Sequence, residues 1–207
     1  MTLHEFTNRI SQHGLDNGHP PRAGKLRHEW ETKQLYTIKD VLTKECSILD
    51  YGCGKYGTLR HTLFNYSPLA TYYGLDVQQL PENESNATFG HISDLSEVLP
   101  KVNGAVLGSV FTHLDWEGIE AMLDETLPYY DNGFQIGFTA FLSNEYKTIR
   151  PGHYGTSDTF WITKVKEEMF ADYCSRNNLQ YKVHDFIWPL DHSVMELTHQ
   201  DFLTIWR

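Results

Sequence analysis

The stretch ILDYGCGKYG, residues 48–57, runs from apolar residues through an acid, Asp50, into three glycines, Gly52, Gly54 and Gly57. An apolar run that ends on glycines spaced this way is a strand followed by a tight turn. Glycine enters positive φ without steric cost and lets the backbone come close to a ligand. Thr58–Tyr66 follows with helical spacing, so the turn opens onto a helix N-terminus, whose unpaired N–H groups and positive dipole end favour an anion. A phosphate and a carboxylate suit that end equally well, and the loop alone does not name the ligand.

The next apolar run, TYYGLDV at residues 71–77, ends on Asp76, 19 residues after Gly57. A carboxylate at that strand end can accept hydrogen bonds from ribose hydroxyls, which makes an adenosine-containing ligand the leading expectation. Strands and helical patterns then alternate: CSILDY, the helix from Thr58, TYYGLDV, a short segment at Ala87–His91, and GAVLGSV at 104–110. DWEGIEAMLDETLPYY places Trp116, Ile119, Leu123 and Leu127 on one helical face, and NGFQIGFTAF returns as a strand after an Asp-Asn-Gly turn. This rhythm predicts a Rossmann-like, doubly wound α/β sheet with five parallel strands and helices on both faces. A helix is also expected over Lys25–Thr43, with Leu35, Ile38 and Leu42 inward, and another near Thr163–Asn177, with Val165, Met169 and Tyr173 on one face and Asn177–Asn178 as its stop. QYKVHDFIW and QDFLTIWR are joined by too few residues for a crossover helix, so this last pair should be antiparallel.

Residues 45–207 resemble the class I S-adenosylmethionine-dependent methyltransferases, whose first motif, acidic-x-Gly-x-Gly, is matched by Asp50, Gly52 and Gly54. The resemblance implies S-adenosyl-L-methionine as cofactor, with Cys53 and Gly57 in its loop, and Asp76 and Val77 at the ribose-binding position. It also implies Asp94 and Leu95, in HISDLSEVLP, at the adenine, and Ser109 after the fourth strand. Tyr56 stands where the family often has glycine, with Gly57 one place later. Gly52-x-Gly54-x-x-Gly57 with Asp76 also fits the dinucleotide fingerprint, so an NAD-dependent oxidoreductase is the second reading. Against it stand the acid two residues before the first glycine and the lack of chain for a substrate domain. A cofactor-binding subunit without catalysis is the third.

Transfer of a methyl group from a sulfonium is an in-line displacement, in which the protein mainly positions the acceptor and excludes water. A hydroxyl acceptor gains from a base, and His113, after the fourth strand with Asp115 close by, is the first choice. Asp115 itself reads as a helix N-cap. His153 and Tyr154, in the loop after the fifth strand, and His192, between the last two strands, are expected substrate contacts. The histidines form no His-x-x-x-His or His/Cys spacing that specifies a metal. Tyr56, Trp116, Tyr129, Tyr130, Phe160, Trp161 and Trp188 lie near the expected pocket side. Aromatic walls suit a sugar, an aromatic or another small organic hydroxyl or amine.

With 40% hydrophobic and 21% charged residues, the chain has the composition of a globular protein, and no apolar run reaches the roughly 20 residues that span a bilayer. MTLHEFTNRISQHG shows no basic start followed by an apolar stretch, so a cytoplasmic location is expected. A formal charge of −10 disfavours a phosphate backbone, the modest basic patch of Arg22, Lys25, Arg27 and Lys33 being diluted by Glu29 and Glu31. Cys46, Cys53 and Cys174 are expected as buried thiols. Residues 1–24, with HGLDNGHPPRAG, read as an N-terminal arm or lid that could bring His13 or His19, together with Trp30 just beyond it, to the site. Residues 25–207 are expected to form a single S-adenosylmethionine-binding methyltransferase domain.

Overall fold

The computed structural model describes residues 2–3, 5–6, 25–149, 162–194 and 197–207. Five strands form its parallel centre: β1 (Ser47–Tyr51), β2 (Thr71–Asp76), β3 (Ala87–His91), β4 (Val102–Leu107) and β5 (Tyr130–Leu142). They lie in the order β3-β2-β1-β4-β5, all parallel. β8 (Gln180–Val194) and β9 (Leu197–Trp206) close the far edge, with β9 inserted antiparallel between β5 and β8. The helices are α1 (Lys25–Thr37), α2 (Leu59–Tyr66), α3 (Leu95–Val98), α4 (Trp116–Thr126) and α5 (Glu167–Arg176).

Strands covered on both faces read as continuous apolar runs rather than alternating ones. In β1, Ile48 joins a core with Leu35, Ile38, Leu63 and Phe89, while Leu49 joins another with Leu123, Phe138 and Phe170 on the opposite face. On the first face, α1 can sit close to the sheet because glycines lie beneath it. A Cβ on Gly137 would stand 1.8 Å from Thr37 Oγ1, and one on Gly108 would stand 1.7 Å from Gln34 Nε2. α1 buries Glu31, Thr32, Gln34 and Thr37 as well as Trp30 and Leu35, so it carries more than a single apolar stripe. The Glu31 carboxylate accepts from Thr58 Oγ1 at 2.6 Å and from Thr62 Oγ1 at 2.7 Å, tying α1 to the start of α2.

Three expectations change. α1 ends at Thr37, and Ile38 and Leu42 are buried from the turns that follow. Asp131–Gly133 is not a turn before the fifth strand but an irregularity within β5, where Gly133 takes φ 76° and the pairing with β4 shifts register. Ile162–Val165 is strand β7, not the first turn of a helix. Its β-branched residues pair with the end of β5 and with β6 (Lys147–Ile149), and α5 begins only at Glu167. Arg176 ends that helix, and Asn178 takes φ 52° beyond it.

Asp115 is the N-cap of α4, its carboxylate accepting from Gly118 N at 2.9 Å. Asp115→Ala should lower stability by about 1 kcal/mol, read as a fall in the denaturant midpoint with an unchanged slope. Phe6, from the first 24 residues, is fully buried, its ring 4.7 Å from that of Tyr66 and 5.5 Å from that of Tyr36. Residues 7–24, with His13 and His19, lie outside the described residues. All three cysteines are free and buried. Among the described residues, no helix is long and apolar enough to cross a membrane, and no group of three potential ligands could hold a metal ion.

His184 packs against Tyr36 and Phe186 and bonds Thr204 Oγ1 at 2.8 Å through Nε2. The Thr204 hydroxyl gives its proton to Thr37 O, so the imidazole donates through Nε2–H. Burial first, then Lys182 and Lys39, push its pKa down from 6.5 to about 4, against the opposing pull of Asp185. The unfolded chain therefore binds the extra proton. Stability is full above pH 6.5 and falls as the pH drops towards 4, by about 2 kcal/mol after allowance for partial exposure. Thermal melts across this range should show that loss in the wild type and a flatter curve in His184→Gln, which keeps the donor.

Candidate functional site

The carboxyl ends of β3, β2, β1 and β4 lie side by side. The chain order reverses between β1 and β4, which is where open α/β sheets bind ligands. From β1 the backbone enters the glycine loop with φ of 79° at Gly52, 68° at Gly54 and 49° at Gly57. A Cβ at Gly52 would lie 2.4 Å from Val110 Cγ2, and one at Gly57 would lie 2.5 Å from Phe89 Cε1. A Cβ at Gly54 would meet nothing within 4 Å, so the loop faces open space there.

Polar groups pin the loop from all sides. Gly52 N and Cys53 N donate to Leu75 O at 2.7 and 3.1 Å. Gly54 N donates to Asp76 Oδ2 at 2.8 Å, and Gln78 N to Asp76 Oδ1 at 3.0 Å. Arg60, on the first turn of α2, donates to the carbonyls of Tyr56 at 2.5 Å and Gly57 at 2.7 Å and pairs with Glu84 at 2.9 Å. Tyr72 donates its hydroxyl proton to Asp50 Oδ2 at 2.6 Å. Burial, together with the Asp50 and Asp76 carboxylates, holds the Cys53 thiol far above its ordinary pKa, so it stays protonated.

Val77, next to the buried Asp76, is 67% exposed, as is Tyr56 in the loop. An exposed aliphatic side chain beside a sequestered acid offers an apolar surface at the mouth of the site. Asp94 lies three residues beyond β3, its Oδ1 accepting from Ser93 Oγ, and Leu95 is buried in the core below it. Ser109 follows β4 with φ 60°, a conformation L-residues other than Asn and Asp rarely adopt outside functional sites. Its N–H donates to Thr139 Oγ1 at 2.8 Å, and its hydroxyl donates to Gln200 Oε1 at 3.1 Å.

Beside this loop lies a pocket of about 210 Å3 lined by Trp30, Ser109, Trp188 and Gln200. The two indole centroids are 6.5 Å apart with planes tilted by 57°. Ser109 precedes Val110, the residue against which Gly52 packs, so pocket and glycine loop share the end of β4. His113 is exposed on a short 3-10 turn and is not among the residues lining the pocket. His153 and Tyr154 lie outside the described residues. The backbone of His192 belongs to β8, with its side chain outside those described. Gln200 and Gln34 were not expected at the site. Gln200 shares a face of β9 with Phe202 and Thr204, on a strand buried on both faces, and no alternation in the sequence singles it out. His199 and Asp201 form a 3.2 Å pair in the other phase of that strand.

No protein-family model matches the chain, and no curated protein matches it. Its fold is nevertheless that of solved class I S-adenosylmethionine-dependent methyltransferases. The 1,6-didemethyltoxoflavin N1-methyltransferase of Burkholderia thailandensis, solved with its substrate and S-adenosylhomocysteine, superposes with a TM-score of 0.63 at 14% identity, over 100% of this chain and 91% of that one. The magnesium protoporphyrin IX methyltransferase of Synechocystis PCC 6803, solved with bound S-adenosylmethionine, gives 0.57 at 14% identity, over 99% and 96%. A methyltransferase from Methanosarcina mazei gives 0.57 at 14% identity, over 82% and 95%. The first two of these are named for different small molecules, and what this chain shares with all three is the Rossmann-like fold.

Proposed function

We propose that the chain binds S-adenosylmethionine in the glycine loop and methylates a small-molecule acceptor held in the Trp30–Trp188 pocket. The observation that carries this reading is the loop itself. Three positive-φ glycines stand at the topological switch point, with Gly54 N bonded to the buried Asp76 carboxylate and open space beside Gly54. The loop fits the cofactor, because its cradle would be filled by a side chain and its acid keeps lone pairs for ribose hydroxyls. When bound, S-adenosylmethionine supplies an electrophilic methyl group on a sulfonium.

The chain's own residues do the rest. Asp50 and Gly52 shape the turn for the amino-acid tail. Asp76 accepts from the ribose, Val77 packs on the adenine, and Asp94 with the Leu95 backbone meets its edge. Ser109 stands between the cofactor and the acceptor pocket. Holding the two reactants in near-attack geometry supplies most of the rate gain in such a displacement. The neighbours' bound S-adenosylmethionine and S-adenosylhomocysteine support this choice of cofactor over NAD. The antiparallel β9, where a dinucleotide fold continues with parallel strands, supports it as well. His113 as a base for an acceptor that binds as a neutral hydroxyl, and His153, Tyr154 and His192 as acceptor contacts, remain part of the proposal. Incubation with methyl-labelled S-adenosylmethionine and an acceptor panel should yield S-adenosylhomocysteine only when an acceptor is present. Cofactor binding with no turnover on any acceptor would point to the non-catalytic subunit instead.

A further inference from the structure

The pocket's lining also specifies the class of acceptor, an inference that rests on the methyltransferase reading above. Trp30 and Trp188 are too close and too steeply tilted to sandwich a ring between parallel faces, with 6.5 Å between centroids and 57° between planes. They form a corner instead, which takes a flat guest against one indole and edge-on to the other.

The face of Trp188 is already claimed by a cation. Lys33 Nζ lies 5.6 Å from the ring centroid and is fixed there by Glu29 Oε1 at 3.0 Å and by Ile187 O at 3.2 Å. Glu29 is about half exposed, while the Lys33 side chain is 14% exposed, so the ammonium is the charge held close to the ring. A cationic guest would meet an indole whose quadrupole is already engaged and a like charge behind it.

The polar edge of the pocket offers donors. Gln200, 8% exposed, uses Oε1 to accept the Ser109 hydroxyl proton, which turns its Nε2 away from that bond. Gln200 Nε2 makes no other bond among the described residues and is not one of the fully buried atoms, so it can be reached from the pocket. Close by, next to Gly108, the buried Gln34 Nε2 has no partner among the described residues. A buried donor left unmade, as at Gln34, is costly, and an accessible amide N–H such as that of Gln200 is free to meet a ligand oxygen, most strongly an anionic one.

We propose that the acceptor is a flat, fused aromatic compound whose acidic hydroxyl binds as the oxyanion, received by Gln200 Nε2 in the Trp30–Trp188 corner. Its proton leaves to solvent before binding. The oxygen forms its bond to the methyl carbon as the carbon–sulfur bond breaks, the bonding pair staying on sulfur. An anion and a sulfonium become a neutral ether and a neutral thioether, with no proton left to place. Mutual loss of charge is favoured as the two reacting groups are drawn out of water.

The test compares three probes on the full chain with labelled S-adenosylmethionine at pH 7. They are umbelliferone, a bicyclic phenol that ionises near neutrality; β-naphthol, of similar size but a weaker acid; and naphthylmethylamine, a cation. Umbelliferone should be methylated with a kcat/KM about 10-fold above that of β-naphthol, the gap closing as pH rises, and the amine should be neither bound nor methylated. Gln200→Leu should lower kcat/KM for umbelliferone by about 30-fold, and Trp188→Leu should raise its KM by about 10-fold. Both should leave the affinity for S-adenosylmethionine unchanged, which shows that the variants fold. Preference for the amine, equal use of the two phenols at pH 7, or no quenching of tryptophan fluorescence by either phenol in a chain that binds S-adenosylmethionine would overturn the acceptor class while sparing the cofactor assignment. Failure to bind S-adenosylmethionine would overturn both.

Discussion

Gly52→Ala is expected to weaken S-adenosylmethionine binding by about 100-fold, equivalent to about 2.7 kcal/mol, and to destabilise the fold as well. Its φ of 79° is a left-handed conformation that costs an L-residue roughly 1–2 kcal/mol. The new methyl would also stand 2.4 Å from Val110 Cγ2, so either the loop or the end of β4 must move. Gly54→Ala separates the two effects. Its φ of 68° carries similar strain, yet its Cβ meets nothing within 4 Å. That variant should lose only about 1 kcal/mol of stability while losing cofactor affinity by a comparable factor, because the methyl occupies the space left for the ligand. Chemical denaturation and ligand titration of both variants check the pair. Unchanged affinity in Gly54→Ala would show that the open side of the loop is not where the cofactor lies.

Asp76→Ala is the second large effect. The carboxylate is buried and accepts from Gly54 N and Gln78 N, so its removal orphans two donors at about 1–3 kcal/mol each before any relaxation or hydration. It also removes the acceptor proposed for the ribose, and the affinity for cofactor should fall by about 100-fold or more. The ribose is common to S-adenosylmethionine and S-adenosylhomocysteine, so both should weaken equally. Asp76→Asn keeps one acceptor oxygen but turns an amide donor towards an N–H donor. It should recover part of the stability and little of the affinity. Unequal losses for the two ligands would place Asp76 near the sulfur rather than the sugar.

The centre of this molecule was legible because its elements obey local rules. Apolar runs of five or six residues ending on glycine or acid, as in β1 and β2, give strands buried on both faces and announce their own ends. Asp115 announces α4 by capping it. Legibility failed where pairing across the fold outweighs local preference. Ile162–Val165 continues the helical spacing of Val165, Met169 and Tyr173, yet two strand edges, the end of β5 and β6, claim it. Gly133 reads as a turn residue, and it does adopt positive φ, but inside a long strand.

The glycine loop could be read because its residues are contiguous and Asp76 stands at a fixed distance from them. The pocket proposed for the acceptor could be read only in part: Trp30, Ser109 and Trp188 were expected near the site and Gln200 was not, because the four come from α1, the end of β4, β8 and β9. Nothing in their spacing links them until α1 crosses the glycines of β4 and β5. His113, placed after β4 as expected, is exposed and is not among the residues lining the pocket.

The central claim is that the glycine loop and Asp76 hold S-adenosylmethionine. Calorimetric titration of the wild type and Asp76→Ala with S-adenosylmethionine, S-adenosylhomocysteine and NAD tests it most directly. The account predicts micromolar binding of both sulfur ligands by the wild type, its loss in the variant, and no binding of NAD. Binding of NAD by the wild type, without binding of either sulfur ligand, would contradict it and make the same glycines a dinucleotide loop.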